Sequence, residues 1–424
     1  MALTLDPILL SSIKALFEYR RDIYRNLCNM PAESWKSLTK YPGTLQRIGE
    51  KGVACNVMLV PGHGFGAGSI PEYTPPTEVQ ATFDVQSFYV RVELERIAAE
   101  LSRDKTVQKV DNYLNAQERM ARFHYNRMLF GDGTGRIAQV TAIDGTKTYI
   151  TIKPIFSDST AYPGAADRYF YQGMEVDTFA GATPHDDQIA ITRVDTTNHR
   201  LYAGTGLWAT TAVNDYIYLA KSKDKASTEF IGFPGAIDKG GAILDSYGGY
   251  AATDYENWSS TVLDLAGGDI TRGVLYEFCC DIYNNSGGEI PIRALVTTPA
   301  IADKYFEQGT DINRIFQRPS TGLTWDIGIP KMVYTSPYWG ELPILIDPQA
   351  TEGTIYFVSK AFNIAELTPF DWLPGDDRWG GYFTHTKLLG YDYLHALGVA
   401  DFTVFTGARN SHGKIINVNI AAAT

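Results

Sequence analysis

The residues best suited to chemistry are few and scattered. The run Gly62-His63-Gly64-Phe65-Gly66-Ala67-Gly68 has the composition of a phosphate-cradling loop, but no Lys-Ser or Lys-Thr follows it, and no helix opens there to receive an anion. A second run, Gly131 to Gly135, follows a helical stretch instead of opening one. His185-Asp186-Asp187 offers an imidazole and two carboxylates to a divalent cation, but a solvated acidic loop is the better reading and no metal site is indicated. The seven histidines form neither HxH nor HExxH. Asp371, Asp376 and Asp377 beside Trp372 and Trp379 combine the carboxylates and rings of a sugar-cleaving site, although a turn at Pro374-Gly375 explains the same cluster. Cys28, Cys55, Cys279 and Cys280 make no CxxC, and the adjacent pair sits in an apolar helical stretch where packing accounts for it. No G-x-S-x-G elbow occurs. These patterns assign no catalytic residue, no metal ligand and no cofactor, and leave a carbohydrate-active enzyme with β-rich modules as a minor alternative.

The elements that would position such residues are more informative. The chain has 424 residues, 44% of them hydrophobic and 20% charged, which excludes wholesale disorder and predicts two to three structural units. A net charge of −11 excludes a broad basic face gripping nucleic acid. The cysteine usage fits a reducing compartment. The first residues lack a basic n-region with an unbroken apolar stretch, and no run of about 18 apolar residues occurs, so neither secretion nor membrane insertion is expected.

Leu9, Ile13, Leu16, Tyr19 and Ile23 recur at helical spacing over residues 8 to 29, an amphipathic helix whose apolar stripe must dock on its own chain or on a partner subunit. Strand-like stretches at Val53 to Val60 and Thr82 to Val92 enclose a Gly/Pro-rich passage, the pattern of a long hairpin with a projecting tip. Residues 104 to 130 contain no Gly or Pro and place Val107, Val110, Leu114, Ala121 and Met128 near one face, predicting a helix roughly 40 Å long.

Short strands follow from 137 to 220, with turns at Asp144-Gly145 and Asp195 to Asn198, and suggest a small antiparallel barrel or sandwich inserted into the chain. After a Gly- and Tyr-rich passage (Phe230 to Asn257), Asp269 is a plausible N-cap for a helix carrying Ile270, Val274, Phe278 and Ile282. A strand at Ile292 to Thr297 precedes a helix opened by Thr298-Pro299. Further strands are expected at Ile344 to Ile346, Thr354 to Val358, Lys387 to Phe405 and Ile415 to Ile420, with helix and strand hard to separate from Leu388 to Ala396.

This order resembles the major capsid proteins of tailed bacteriophages with the Hong Kong 97 type fold. The string Asn126-Arg-Met-Leu-Phe-Gly-Asp-Gly-Thr-Gly135 is similar to the end of that family's long spine helix. TTPAIADKYF and GELPILIDPQATEGTIYFVSKAFNIAEL are similar to later segments in the same order, so the resemblance covers nearly the whole chain.

The resemblance implies an α+β fold divided into an N-terminal arm (1–50), an E-loop hairpin (51–92), a P-domain spine helix (93–135), an inserted small β-barrel domain (136–222), an A-domain with connecting segments (223–377) and C-terminal P-domain strands (378–424). It implies a structural protein that self-assembles into pentamers and hexamers around double-stranded DNA, held without tight sequence-specific binding. Assembly in a host cytoplasm, residence in the virion, and portal, scaffolding or decoration partners belong to the same picture; a membrane does not. Subunit contacts would come from His63, Phe65, Ile70 and Tyr73 at the E-loop tip and from Leu9, Ile13, Leu16 and Tyr19 of the arm. Residues Met58 to Asp84 contain no Lys, so the covalent Lys–Asn crosslink of the type member is not expected through this loop. A nanocompartment shell of the encapsulin kind is the alternative with the same fold.

Overall fold

The long helix spans Arg103–Leu129, 27 residues without Gly or Pro. A computed structural model describes residues 14–21, 33–40, 47–48, 52–59, 77–95, 103–155, 166–220, 229–241, 243–253, 255, 258–312, 333–375, 384–388 and 391–420. Val110, Leu114, Ala121 and Leu129 are buried along the expected face of the helix. Toward its C-terminal end Tyr125, Asn126 and Arg127 are buried as well, because other segments wrap that end on all sides. Asp132 then closes the turn by accepting from Thr134 N at 2.9 Å. Gly232 passes so close to the helix end that a Cβ there would lie 2.2 Å from the Leu129 carbonyl oxygen, which restricts the position to glycine.

The helix lies over a five-stranded sheet whose centre is Tyr391–Thr406. Phe362–Trp372 and Thr384–Leu388 flank successive parts of that strand, Gln86–Glu95 pairs along it antiparallel, and Thr39–Lys40 adds a short parallel edge. Sixteen residues in one strand settle the ambiguity around Leu388 to Ala396: pairing on both sides decides what local pattern leaves open.

A six-stranded sheet runs Thr261–Asp264, Gly413–Ile416, Ile355–Ser359, Ile292–Thr297, Gly340–Ile346, Val333–Ser336. All five residues of Ile355–Ser359 are buried, as a central strand requires. The helices Arg272–Ser286 and Pro299–Ile312 cover it, with Leu275, Phe278, Ile282 and Ile301 meeting Leu295, Phe357 and Ile415. The first of these helices is capped by Thr271, whose side chain accepts from Val274 N, and not by Asp269. It ends at Gly287 with φ 64°, the left-handed stop expected from Asn285-Ser-Gly-Gly.

Gly52–Leu59 and Thr77–Asp84 pair antiparallel over eight residues and, with Arg47–Ile48, form a separate three-stranded sheet. The stretch Thr82 to Val92, expected as one strand, is shared between two sheets. The chain breaks at Val85 and continues as Gln86–Glu95 in the five-stranded sheet. Alternation in the sequence runs through this point, so only the change of partner marks it.

The inserted segment corrects the expected barrel. Its strands form one open antiparallel sheet in the order Ile189–Ala190, Glu175–Ala180, Tyr216–Leu219, Arg136–Ile143, Tyr149–Lys153, Arg200–Tyr202, Arg193–Asp195, with Thr183–Pro184 beside Glu175–Ala180. The outermost strands, two and three residues long, do not pair with each other, so the ladder does not close. Its apolar face forms its own core, where Ile150, Ile152, Val176, Leu201 and Ile217 are covered by Phe170, Met174 and Trp208 from the connecting loops. Loops thus supply the second layer that a closed barrel or second sheet would have provided. Glu175–Ala180 was not expected as a strand, because two of its six residues are acidic; Asp177 is nonetheless buried and accepts from Gln188 N at 2.7 Å.

Candidate functional site

The groups singled out for chemistry resolve into structure. His185 Nδ1 meets Asp215 Oδ2 at 2.5 Å, and Asp186 accepts from Thr210 N and Thr211 N at 3.0 and 2.7 Å. Burial opposes ionisation of Asp186, yet the Thr210 and Thr211 hydrogen bonds outweigh it and hold the carboxyl below its ordinary value. The His-Asp-Asp run therefore ties down a loop. No group of three or more His, Cys, Asp or Glu among the described residues could hold a metal ion.

Trp372 is buried with its ring 4.6 Å from Phe17, so it has no free face for a sugar. Asp371 is exposed, and Asp376, Asp377 and Trp379 lie outside the described residues. Burial pushes the Cys279 thiol up to about 11, the behaviour of a packing residue, and Cys280 Sγ lies 3.0 Å from Tyr338 Oη. The glycine run 62–68 also lies outside the described residues, as do His63, Phe65, Ile70 and Tyr73.

What the fold does assemble is a set of polar fasteners between distant segments, and these define its working parts. Residues 14–21 are helical and dock on their own chain. Phe17 is buried and Leu16 packs on the core, while Arg20 reaches Asp111 at 2.5 Å and Glu118 at 3.0 Å on the long helix. Tyr19 is 63% exposed, and Leu9 and Ile13 lie outside the described residues. A little further along, buried Ser34 hydrogen-bonds both Asn126 and Asp347, joining the arm to the helix and to the end of Gly340–Ile346. Buried Arg127 forms a two-pronged pair with Glu229, where the chain returns from the insertion.

The tightest cluster lies beneath the C-terminal strand. Arg409, 1% exposed, donates to the carbonyls of Ala236 (2.8 Å), Trp258 (2.9 Å), Asp238 (3.2 Å) and Gly235 (3.4 Å), with its guanidinium 4.8 Å over the Tyr247 ring. Lys414 Nζ pairs with Asp238 at 3.1 Å. Buried His412 accepts from Ser359 N at Nδ1 (3.0 Å), which leaves Nε2 to donate to Thr406 Oγ1 at 2.8 Å. Burial, then the Arg409 charge, lowers its pKa to about 3.

The insertion meets the rest of the chain through a different, more exposed seam. Arg168 pairs with Glu352 at 2.9 Å and donates to the Pro348 carbonyl at 2.7 Å, Tyr169 Oη donates to the Gln349 carbonyl at 2.9 Å, and Tyr171 Oη lies 3.5 Å from His124 Nε2. A cavity of about 260 Å³ opens beside it, lined by Arg136, Tyr216, Asp238 and Lys414 among others. Both cations there are already engaged, Arg136 by Asp132 at 2.6 Å and Lys414 by Asp238.

Nothing in the sequence distinguishes Arg409, Arg127 or Arg168 from surface arginines, since their partners stand 100 residues or more away. Phe17 and Arg20 were within reach: they lie one position beyond Leu16 and Tyr19, and shifting the stripe by one residue finds them.

No protein-family model and no curated protein matches the sequence. Among solved structures the chain is similar to the cyanophage A-1(L) capsid (11% identity, 87% of this chain and 88% of that chain covered, TM-score 0.44). It is also similar to the SrpI encapsulin of Synechococcus elongatus (9%, 93% and 90%, TM-score 0.41) and to a chain of Mycobacterium phage Patience (10%, 97% and 88%, TM-score 0.39).

Proposed function

We propose that the chain is the subunit of a self-assembling shell, a major capsid protein of the Hong Kong 97 type. It forms pentamers and hexamers of an icosahedral head around double-stranded DNA. The observation that carries this reading is the Gly52–Leu59/Thr77–Asp84 hairpin. Among the described residues it pairs only with two-residue Arg47–Ile48 and joins no other sheet. Ala81 and Phe83 anchor one end against Tyr247 and Phe405. A ribbon of two or three strands is marginal by itself in water, so an eight-residue ladder reaching away from its anchor gains from a neighbour to lie on. In the ordered motifs that resemble the capsid family, this hairpin occupies the place of the overlapping arm.

Function in this reading is geometric. Obligate assemblies bury upwards of about 2,000 Å² per interface, and the E-loop tip (His63, Phe65, Ile70, Tyr73) and the outward side of the N-terminal arm, where Tyr19 is 63% exposed, supply part of it. With no Lys from Met58 to Asp84, shells hold non-covalently, by interlocked arms, the inserted domain or a separate cement protein, not by a Lys–Asn bond through this loop. A net charge of −11 keeps packaged DNA from adhering to the wall. The shell is built in a host cytoplasm and resides in the virion.

Electron microscopy of the expressed chain, with analysis of particle content, tests the reading. DNA-filled heads support it, protein cargo would assign a nanocompartment, and a persistent monomer that hydrolyses glycans would overturn it. Deleting residues 62–76 is expected to abolish or destabilise shells while leaving the monomer's thermal transition in place; normal shells from that variant would remove the arm's assigned role.

A further inference from the structure

The polar face of the inserted sheet carries a ladder of arginines and tyrosines that the fold itself does not use. Arg193 stands opposite Tyr202, which stands opposite Tyr149; two residues along, Arg200 stands opposite Thr151. The Tyr149 and Tyr202 rings lie 5.2 Å apart, Arg200 covers Tyr149 at 4.4 Å, and Arg193 covers Tyr202 at 5.1 Å. Ile150, Ile152 and Leu201 point the other way into the core, so this row faces outward by strand alternation.

The charges on this face are available. The Arg193 side chain is 67% exposed, and its nearest carboxylate, Asp195, is 3.9 Å away and already accepts from Thr197 N, Asn198 N and Asn198 Nδ2. Arg200 is half-buried, and its Nε is enclosed yet has no hydrogen-bond partner among the described residues, so the ladder's freest charge is that of Arg193. Lys153 adds an exposed cation on the same face. In a chain of net charge −11, such a cationic patch finds its complement on another copy of the same chain.

We propose, resting on the shell reading above, that this ladder docks on the outer face of the Arg272–Ser286 helix of a second copy. That helix exposes Glu277 and Asp281 one turn apart, between Tyr276 (49% exposed) and Tyr283 (37%). The last turn of that helix contains no basic residue to neutralise the two carboxylates. Carboxylates at i and i+4 start roughly 5–6 Å apart, and arginines on a cross-strand diagonal roughly 7–8 Å apart. Long guanidinium stems close that difference, and tyrosines flank the charges on both sides. Two different surfaces of one chain make a heterologous contact, the kind that generates rings when the rotation closes.

Single-stranded nucleic acid is the competing occupant, and the geometry disfavours it. Base stacking needs open ring faces, whereas guanidinium groups already cover both tyrosines, and three cations are few for tracking a phosphate backbone.

The test compares the full chain with Arg193→Glu/Arg200→Glu, Glu277→Lys/Asp281→Lys and all four changes together, by sedimentation velocity and negative-stain imaging. Each pair of reversals is expected to raise the concentration needed for assembly at least about tenfold, equivalent to about 1.4 kcal/mol, and the combined variant to recover most of the loss. Arg193→Glu alone, at the most exposed position, gives the same sign if the paired variant fails to fold. Assembly of the reversed variants at wild-type concentration, or no recovery in the combined variant, overturns the contact. Loss of oligonucleotide binding in Arg193→Glu/Arg200→Glu with assembly unchanged overturns it in favour of nucleic acid. A wild-type chain that never assembles overturns the shell reading itself.

Discussion

Two groups of cationic side chains in this molecule sit in opposite surroundings. Arg409 and Lys414 are buried at the re-entry from the insertion, where five backbone carbonyls and the Asp238 carboxylate surround them. Arg193 and Arg200 lie on the open face of the inserted sheet, resting on tyrosine rings, with Arg193 67% exposed and its nearest carboxylate 3.9 Å away. Desolvation is the difference. In the first group a charge removed from water must have its donors satisfied, so it fixes one arrangement of the chain segments around it; in the second the charge keeps more of its hydration and can exchange it for a partner.

Substitution breaks the comparison most sharply at Arg409. Arg409→Met leaves the carbonyls of Ala236 and Trp258 without their donors, at about 1–3 kcal/mol each, and takes from the Asp238 carbonyl one of its two, since Ser260 N still donates to it. A loss above about 3 kcal/mol in urea unfolding is therefore expected. Arg193→Ala should change stability by less than about 0.5 kcal/mol, as exposed positions usually do. Equal effects at the two sites would mean that the buried cluster is not a fastener.

The contrast also explains what the sequence reveals. Periodicity locates the long helix to within a residue, because one buried stripe governs most of its length. It locates the Tyr149–Lys153 and Ile292–Thr297 strands for the same reason. It misses the split at Val85 and the open form of the inserted sheet, since both depend on which strand finds which partner. The buried polar cluster is less legible still. Arg409 and His412 sit among Gly, Ala and Ser in Gly407-Ala-Arg-Asn-Ser-His-Gly413, a stretch that reads as a surface loop, and only contacts 150 residues away show otherwise. The ordered motifs convey the family resemblance without these contacts, because the motifs record turns and strand ends.

Acid separates core from seam by degree. His412 in the core is lowered to about 3, and His124 at the seam to about 4, in both cases by burial and then by a neighbouring arginine. The unfolded chain takes up these protons below about pH 6.5, while the native state refuses them down to those values. Stability should therefore fall as pH drops from about 6.5 toward 4, by up to about 1.4 kcal/mol per pH unit for each histidine. Glu352, raised by burial against the pull of Arg168, holds its proton longer when folded and offsets part of this loss near its own titration. His412→Gln should roughly halve the slope in urea titrations across that window. A flat wild-type profile would show that both rings are hydrated in solution.

The smallest effect concerns the seam itself. Arg168 and Glu352 are each about one-fifth exposed, and the carboxyl is shifted up because desolvation exceeds the attraction of its partner. A pair so balanced contributes little, at most about 1 kcal/mol, so Arg168→Ala should scarcely move the main thermal transition. Its consequence is local. Without Arg168 the insertion keeps the Tyr169 hydrogen bond to Gln349 but loses both the ion pair and the bond to the Pro348 carbonyl. Amide exchange should then accelerate across 347–353 and 166–171, while the inserted core around Leu201 and the buried cluster around Arg409 stay protected. Faster exchange throughout the inserted sheet would mean that its stability is borrowed from the rest of the chain, despite its separate apolar core.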